Sequence, residues 1–93
     1  MFVGVVRIEL HVPAAQSLKD KRQVVRSLKD RIRDRAHAAV AEVDHQELWQ
    51  RVALGVAVVA SDVHHTQELL NRVRQVVEQA YEAQLLDWQE RIE

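Results

Sequence analysis

Nine consecutive residues, Val52 to Ala60 (VALGVAVVA), carry neither a charge nor a polar side chain. A run this short does not reach the roughly 18 apolar residues a membrane helix needs, and its valines favour extended backbone. It therefore reads as a strand with a neighbour on each side. Alternation then gives the strand two unequal faces. Leu54, Val56 and Val58 are large enough to be covered by helices, whereas Ala53, Gly55, Ala57 and Val59 form a low, open face.

The flanking sequence supplies the partners. Phe2 to Val12 alternates, with Phe2, Val6, Ile8, Leu10 and Val12 on one side and Arg7, Glu9 and His11 on the other, as in a half-buried strand. Pro13, the one proline, ends it because it has no N–H for a ladder. Ser17 followed by Asp20 has the spacing of a helix N-cap, predicting a helix to about Ala36. Ala38 to Asp44 reads as a short strand and His45 to Arg51 as a polar connection. Ser61 is the expected cap of a second helix, with Asp62 in its first turn and Val63, Leu70, Val73 and Val77 along its apolar stripe to about Ala80. Gln84 to Ile92 alternates through Leu86, Trp88 and Ile92 and suits an edge strand, with Trp88 turned toward the core. The order is β-α-β-β-α-β. Right-handed crossovers close it into one α+β domain, residues 1–93, with a four-stranded antiparallel sheet and both helices on one face, the ferredoxin-like arrangement.

Charge is sorted along the first helix. The net charge of the chain is −1, yet residues 17 to 35 hold eight Lys/Arg against three Asp, and the remainder five against eleven Asp/Glu. Lys19, Arg22, Arg26, Lys29 and Arg33 follow spacings of three and four and share one stripe about 21 Å long at ~1.5 Å per residue. Leu18, Val25, Leu28 and Ile32 form the apolar stripe, and Asp20, Asp30 and Asp34 a separate flank. A cationic row of this length can follow a phosphate backbone. The same pattern also suits a merely solvated helix face.

Several functions of this architecture lack their residues here. The central strands have no aromatics on which RNA bases would stack, apart from Phe2 near an end. The first loop, Pro13-Ala14-Ala15-Gln16, is not a glycine-rich phosphate cradle. The chain has no cysteine, which excludes disulfides, thiolate metal sites and thiol catalysis. Five histidines include Asp62 with His64 and His65, and Asp44 with His45, but adjacent helical residues diverge by about 100° and no HExxH pattern is present. No metal or cofactor is expected. Glu42 and Asp44 are expected on one side of the second strand, without a nucleophile or oxyanion donor to make them catalytic.

Two further surfaces are candidates for contact. Ala53, Ala57 and Val59, beside Val3 and Val5 of the first strand, would expose small apolar side chains and suit a self-complementary dimer. Long neighbouring side chains covering that face are the alternative. Trp49, in the polar connection, is a candidate partner contact or a core lid. Neither a signal peptide nor a membrane span is visible, so a cytoplasmic location is expected. Arginine exceeds lysine, which fits a thermophile or a GC-rich genome.

Three segments carry a family resemblance. Ser17-Leu18-Lys19-Asp20-Lys21-Arg22 with Ser27-Leu28, Ala41-Glu42-Val43-Asp44-His45-Gln46 with Leu48-Trp49-Gln50-Arg51, and Leu54-Gly55-Val56-Ala57-Val58-Val59 together resemble the YlxP-like family of small bacterial proteins, a domain of unknown function. The resemblance implies the ferredoxin-like fold and no catalytic residue. Family genes beside those of translation initiation and ribosome-binding factors imply a link to RNA or the ribosome, with Lys19, Lys21 and Arg22 in the basic helix opening. The expectation is a non-enzymatic module binding RNA or the ribosome, without a DNA role. The alternative is a homo-oligomeric interaction or regulatory domain using the sheet face.

Overall fold

A computed structural model describes all residues, 1–93. In chain order the elements are β1 (Phe2–His11), α1 (Leu18–Ala36), β2 (Ala39–Asp44), β3 (Arg51–Ala60), α2 (Val63–Gln79) and β4 (Gln84–Ile92). The strands form one antiparallel sheet in the order β2-β3-β1-β4, so the ferredoxin-like α+β arrangement is the one observed. β3 lies inside the sheet and is paired on both edges, which accounts for its uncharged sequence.

One face of each inner strand builds the core. Val6, Ile8 and Leu10 of β1 and Val52, Leu54, Val56 and Val58 of β3 are buried with Leu28 and Ile32 of α1 and Leu70, Val73 and Val77 of α2. At Gly4 the α2 helix comes so close that a Cβ would stand 2.8 Å from Thr66 Cγ2 and 3.0 Å from both Leu70 Cδ1 and Val58 Cγ2. Glycine is required there by space, since its backbone is ordinary extended chain.

The helix ends follow local rules with one change of residue. Ser17 Oγ accepts from Asp20 N at 3.0 Å and caps α1, while Asp20 Oδ2 accepts from Gln16 N. At the other end His37 takes a left-handed conformation, φ 51°, and donates its N–H to Arg33 O. For α2 the cap is Asp62, not Ser61: its Oδ1 accepts from His65 N at 2.8 Å. Asp62 is one residue nearer the apolar stripe, and its carboxylate is a strong acceptor for a free helix N–H.

Two bulges correct the simple alternation. In β4 the register shifts opposite Glu9 and Leu10, so Leu85 packs against the core and Leu86 turns outward, 51% exposed. Trp88 keeps its place as a partly buried lid, with Arg74 of α2 over its ring at 5.1 Å and its Nε1 donating to Glu90 at 2.6 Å. In β2 the register shifts between Glu42 and Asp44. These two acids therefore part company: Glu42 meets Lys21 of α1, and Asp44 meets Arg7 on the open face.

Candidate functional site

α1 packs through Val25, Leu28, Ile32 and Ala36, and that orientation fixes where its charges go. Lys19, Arg22, Arg26 and Arg33 are exposed and Lys29 is half-buried. Arg33 is engaged within the chain: Nη2 donates to Val40 O at 3.3 Å and Nη1 lies 3.7 Å from Asp30. Lys19, Arg22, Arg26 and Lys29 have no carboxylate within ion-pair distance. Four of the five stripe cations are thus left to solvent or a ligand.

Lys21 belongs to a different category from its neighbours. It is fully buried, 0% exposed, on the apolar side of α1. Its Nζ donates to His45 O at 2.8 Å, Gln46 O at 3.2 Å and Arg51 O at 3.4 Å. Glu42 Oε2 stands 3.0 Å away and balances the charge, although it lies outside hydrogen-bond geometry. Lys21 is therefore not part of the basic surface at the helix opening. It fastens the β2–β3 loop to the first turns of α1. The signal was present in the sequence, because position 21 precedes Val25 by four and lies on the same stripe as Leu28 and Ile32.

The same loop is held from a second side. Gln50 Nε2 donates to Pro13 O and Ala15 O, both at 3.1 Å, and Gln50 O accepts from Val12 N. Trp49 projects from this fastened backbone and is 54% exposed, beside exposed Leu48. It is not a core lid. Leu48, Trp49 and Arg51, with Glu47 and Gln50, line an open depression.

The open face of the sheet is divided. Toward the β2–β3 loop, Glu9 is the hub of an ionic cluster: Oε1 accepts from Arg51 Nη2 at 2.8 Å and pairs with His45 Nε2 at 3.0 Å, and Oε2 meets Arg7 Nη2 at 3.0 Å. Burial acts to raise the Glu9 carboxyl, but the hydrogen bonds from Arg51, His45 and Arg7 outweigh it and hold it below the ordinary glutamate range. Asp44 is also lowered, chiefly by the His45 backbone N–H and then by Arg7. Ala53, grouped in the sequence with the exposed apolar residues, lies 0% exposed between Glu9 and Asp44 in register and offers nothing to a partner. Long side chains cover this half.

The other half matches the low apolar face. Val3, Val5 and Ala57 are partly exposed and Val59 is 60% exposed; Ala39, Ala41 and Val43 of β2 extend the patch. Gly55 leaves room there for Val43, whose Cγ1 would lie 2.9 Å from an added Cβ. The histidines of α2 are otherwise occupied. His64 Nε2 and His65 Nδ1 both face Glu68, at 2.8 and 3.6 Å, while Asp62 caps the helix.

The family described as "Protein of unknown function (DUF503)" matches residues 3–90. The chain belongs to the DUF503 family. Consistent with membership, it is 32% identical over 71 residues to the uncharacterized protein YlxP of Bacillus subtilis (strain 168), covering 76% of this chain and 77% of that protein. The YlxP-like resemblance and the DUF503 assignment are thus in agreement. The de novo designed protein Foldit4 shares the fold at a TM-score of 0.54 and 14% identity, over 98% of this chain and 96% of that one. No helix of this DUF503 chain is long and apolar enough to cross a membrane.

Proposed function

We propose that the chain is a non-enzymatic binding module that contacts RNA or the ribosome along α1, with Lys19, Arg22, Arg26 and Lys29 as phosphate contacts. The observation that carries this reading is the separation of charge: four cations along about 15 Å of helix lack carboxylate partners. Lys21 is buried and Arg33 is bonded to Val40 O, so neither is offered to a phosphate. Neutralising phosphates releases condensed counterions, about 0.7 per contact on a single strand. Four contacts give a log K against log[salt] slope of about −3. Anisotropy of a labelled single-stranded oligoribonucleotide across a KCl series measures it. Reversing Arg22 and Arg26 to Glu should weaken binding and flatten the slope. A slope near zero, or binding indifferent to the reversal, rejects the reading.

A second reading, homo-oligomeric association through the sheet, is favoured by the exposed patch around Val59. It uses Val3, Val5, Ala57 and Val59 and leaves α1 free. Sedimentation velocity at micromolar concentration decides it: a dimer that Val59→Lys converts to monomer supports the reading, and a monomeric wild type removes it.

A further inference from the structure

We propose that Trp49 is a stacking platform for an unpaired base of single-stranded RNA, placed where the cationic row of α1 begins. This deepens the RNA reading and rests on it, adding the form of the ligand: a flexible strand whose base leaves the backbone to lie on an indole.

The backbone that carries Trp49 is tied down from both sides. A lysine is taken fully out of water to bind the carbonyls of His45, Gln46 and Arg51. Gln50, next to Trp49, ties the loop to Pro13 and Ala15. Leu48 N donates to His45 O at 3.0 Å, closing the turn internally. A fixed backbone removes the loop-ordering cost of binding, and an indole has only two side-chain torsions left to order. The other tryptophan makes the contrast: Trp88 packs on the core edge with its Nε1 bonded to Glu90 and Arg74 over its ring.

Position and charge select the occupant. The fasteners come from the first turns of α1 and the β1–α1 loop, so the indole sits at the end of the domain that carries Lys19 and Arg22. Both are exposed and without a carboxylate partner. The depression pairs Trp49 with Leu48 and Arg51, surfaces suited to a base plane, while Glu47 in its lining disfavours phosphate there. Phosphates then belong on the helix and a base belongs on the loop. A ligand that is polyanionic and carries flat aromatic groups satisfies both; an apolar protein segment would leave the cations unused.

The test is a titration of a ten-nucleotide single-stranded oligoribonucleotide against Trp88→Phe, in which Trp49 is the one indole. Its emission should be quenched in step with binding, and a duplex of the same sequence should bind without quenching. In the wild-type background Trp49→Ala should lower affinity about tenfold while leaving the salt slope unchanged, because stacking releases no counterions, and Trp49→Phe should recover most of the loss. Binding with the full slope, unchanged emission and equal affinity for Trp49→Ala overturns the platform and leaves the helix reading standing. Absence of any RNA binding overturns both. Thermal melts of the two Trp49 variants check folding, and the exposed position predicts little change.

Discussion

Lys21 Nζ lies 3.0 Å from Glu42 Oε2, and the pair joins the first turns of α1 to the strand that enters the β2–β3 loop. A buried ammonium contributes to the fold only while its partners remain, since either member alone is a charge stripped of water. The helix dipole is of no help, because the positive end of α1 is the nearer one.

Removing that charge should therefore be among the most damaging single changes in the chain. Lys21→Met keeps the apolar stem but leaves Glu42 and the carbonyls of Gln46 and Arg51 unanswered, while His45 O keeps its bond from Leu48 N, and it should cost about 3–5 kcal/mol. For a domain of this size that lowers the melting temperature by more than about 10 °C. Lys21→Met with Glu42→Gln should be less unstable than Lys21→Met alone. A calorimetric melt of the four proteins in the cycle measures the coupling; additive losses would show that the two charges do not depend on each other.

The fold was legible because its determinants are repetitive. The uncharged β3, the alternation of β1 and the stripes of α1 and α2 each repeat a signal over several residues. Single-residue events were less readable. The two bulges follow from pairing between distant strands, and they sent Leu86 outward and separated Glu42 from Asp44. Ala53 looked exposed because its own size says nothing of Glu9 and Asp44 beside it. Lys21 was readable from its place on the apolar stripe, but not its acceptors, which come from the β2–β3 loop and the first residue of β3, 24 to 30 residues away.

The two glycines of the sheet should respond differently to alanine. At Gly4 a methyl meets three side chains of the packed α2 interface, and Gly4→Ala should destabilise by about 1–3 kcal/mol. At Gly55 the obstacle is Val43 alone, an exposed side chain on the edge strand that can yield toward solvent, and the reduced freedom of the unfolded chain offsets the crowding. Gly55→Ala should stay within about 1 kcal/mol of wild type. Urea denaturation distinguishes them; equal losses would contradict the packing described.

Acid should dissolve the cluster around Glu9. Its folded carboxyl titrates below the ordinary value of 4.5, so folding favours the charged form. That contribution is complete above about pH 4.5 and is lost as pH falls through the lower folded value. Glu9→Gln should have a lower urea midpoint than wild type at pH 6, and the gap should narrow on acidification below that value. A gap that widens toward low pH would reverse the sign and remove Glu9 as the hub.

Arg33 should behave unlike the other cations of its helix. Its guanidinium bonds Val40 O and pairs with Asp30, so Arg33→Ala should disturb the β2 edge while changing the RNA salt slope less than Arg22→Ala. Hydrogen exchange of the β2 amides reports the first effect and the KCl series the second. Equal slope changes would place Arg33 back among the phosphate contacts.

His45 has a left-handed backbone, φ 62°, with its ring against Glu9 and its carbonyl against Lys21. One peptide thus takes part in two structures on opposite sides of a β-sheet. Glycine there would accept the twist and lose the ring; a branched aliphatic would lose both. The tolerance of this site to change is consequently set by the intersection of two requirements, and a disturbance that reaches the polar side has a covalent route of a few bonds to the loop that presents the indole.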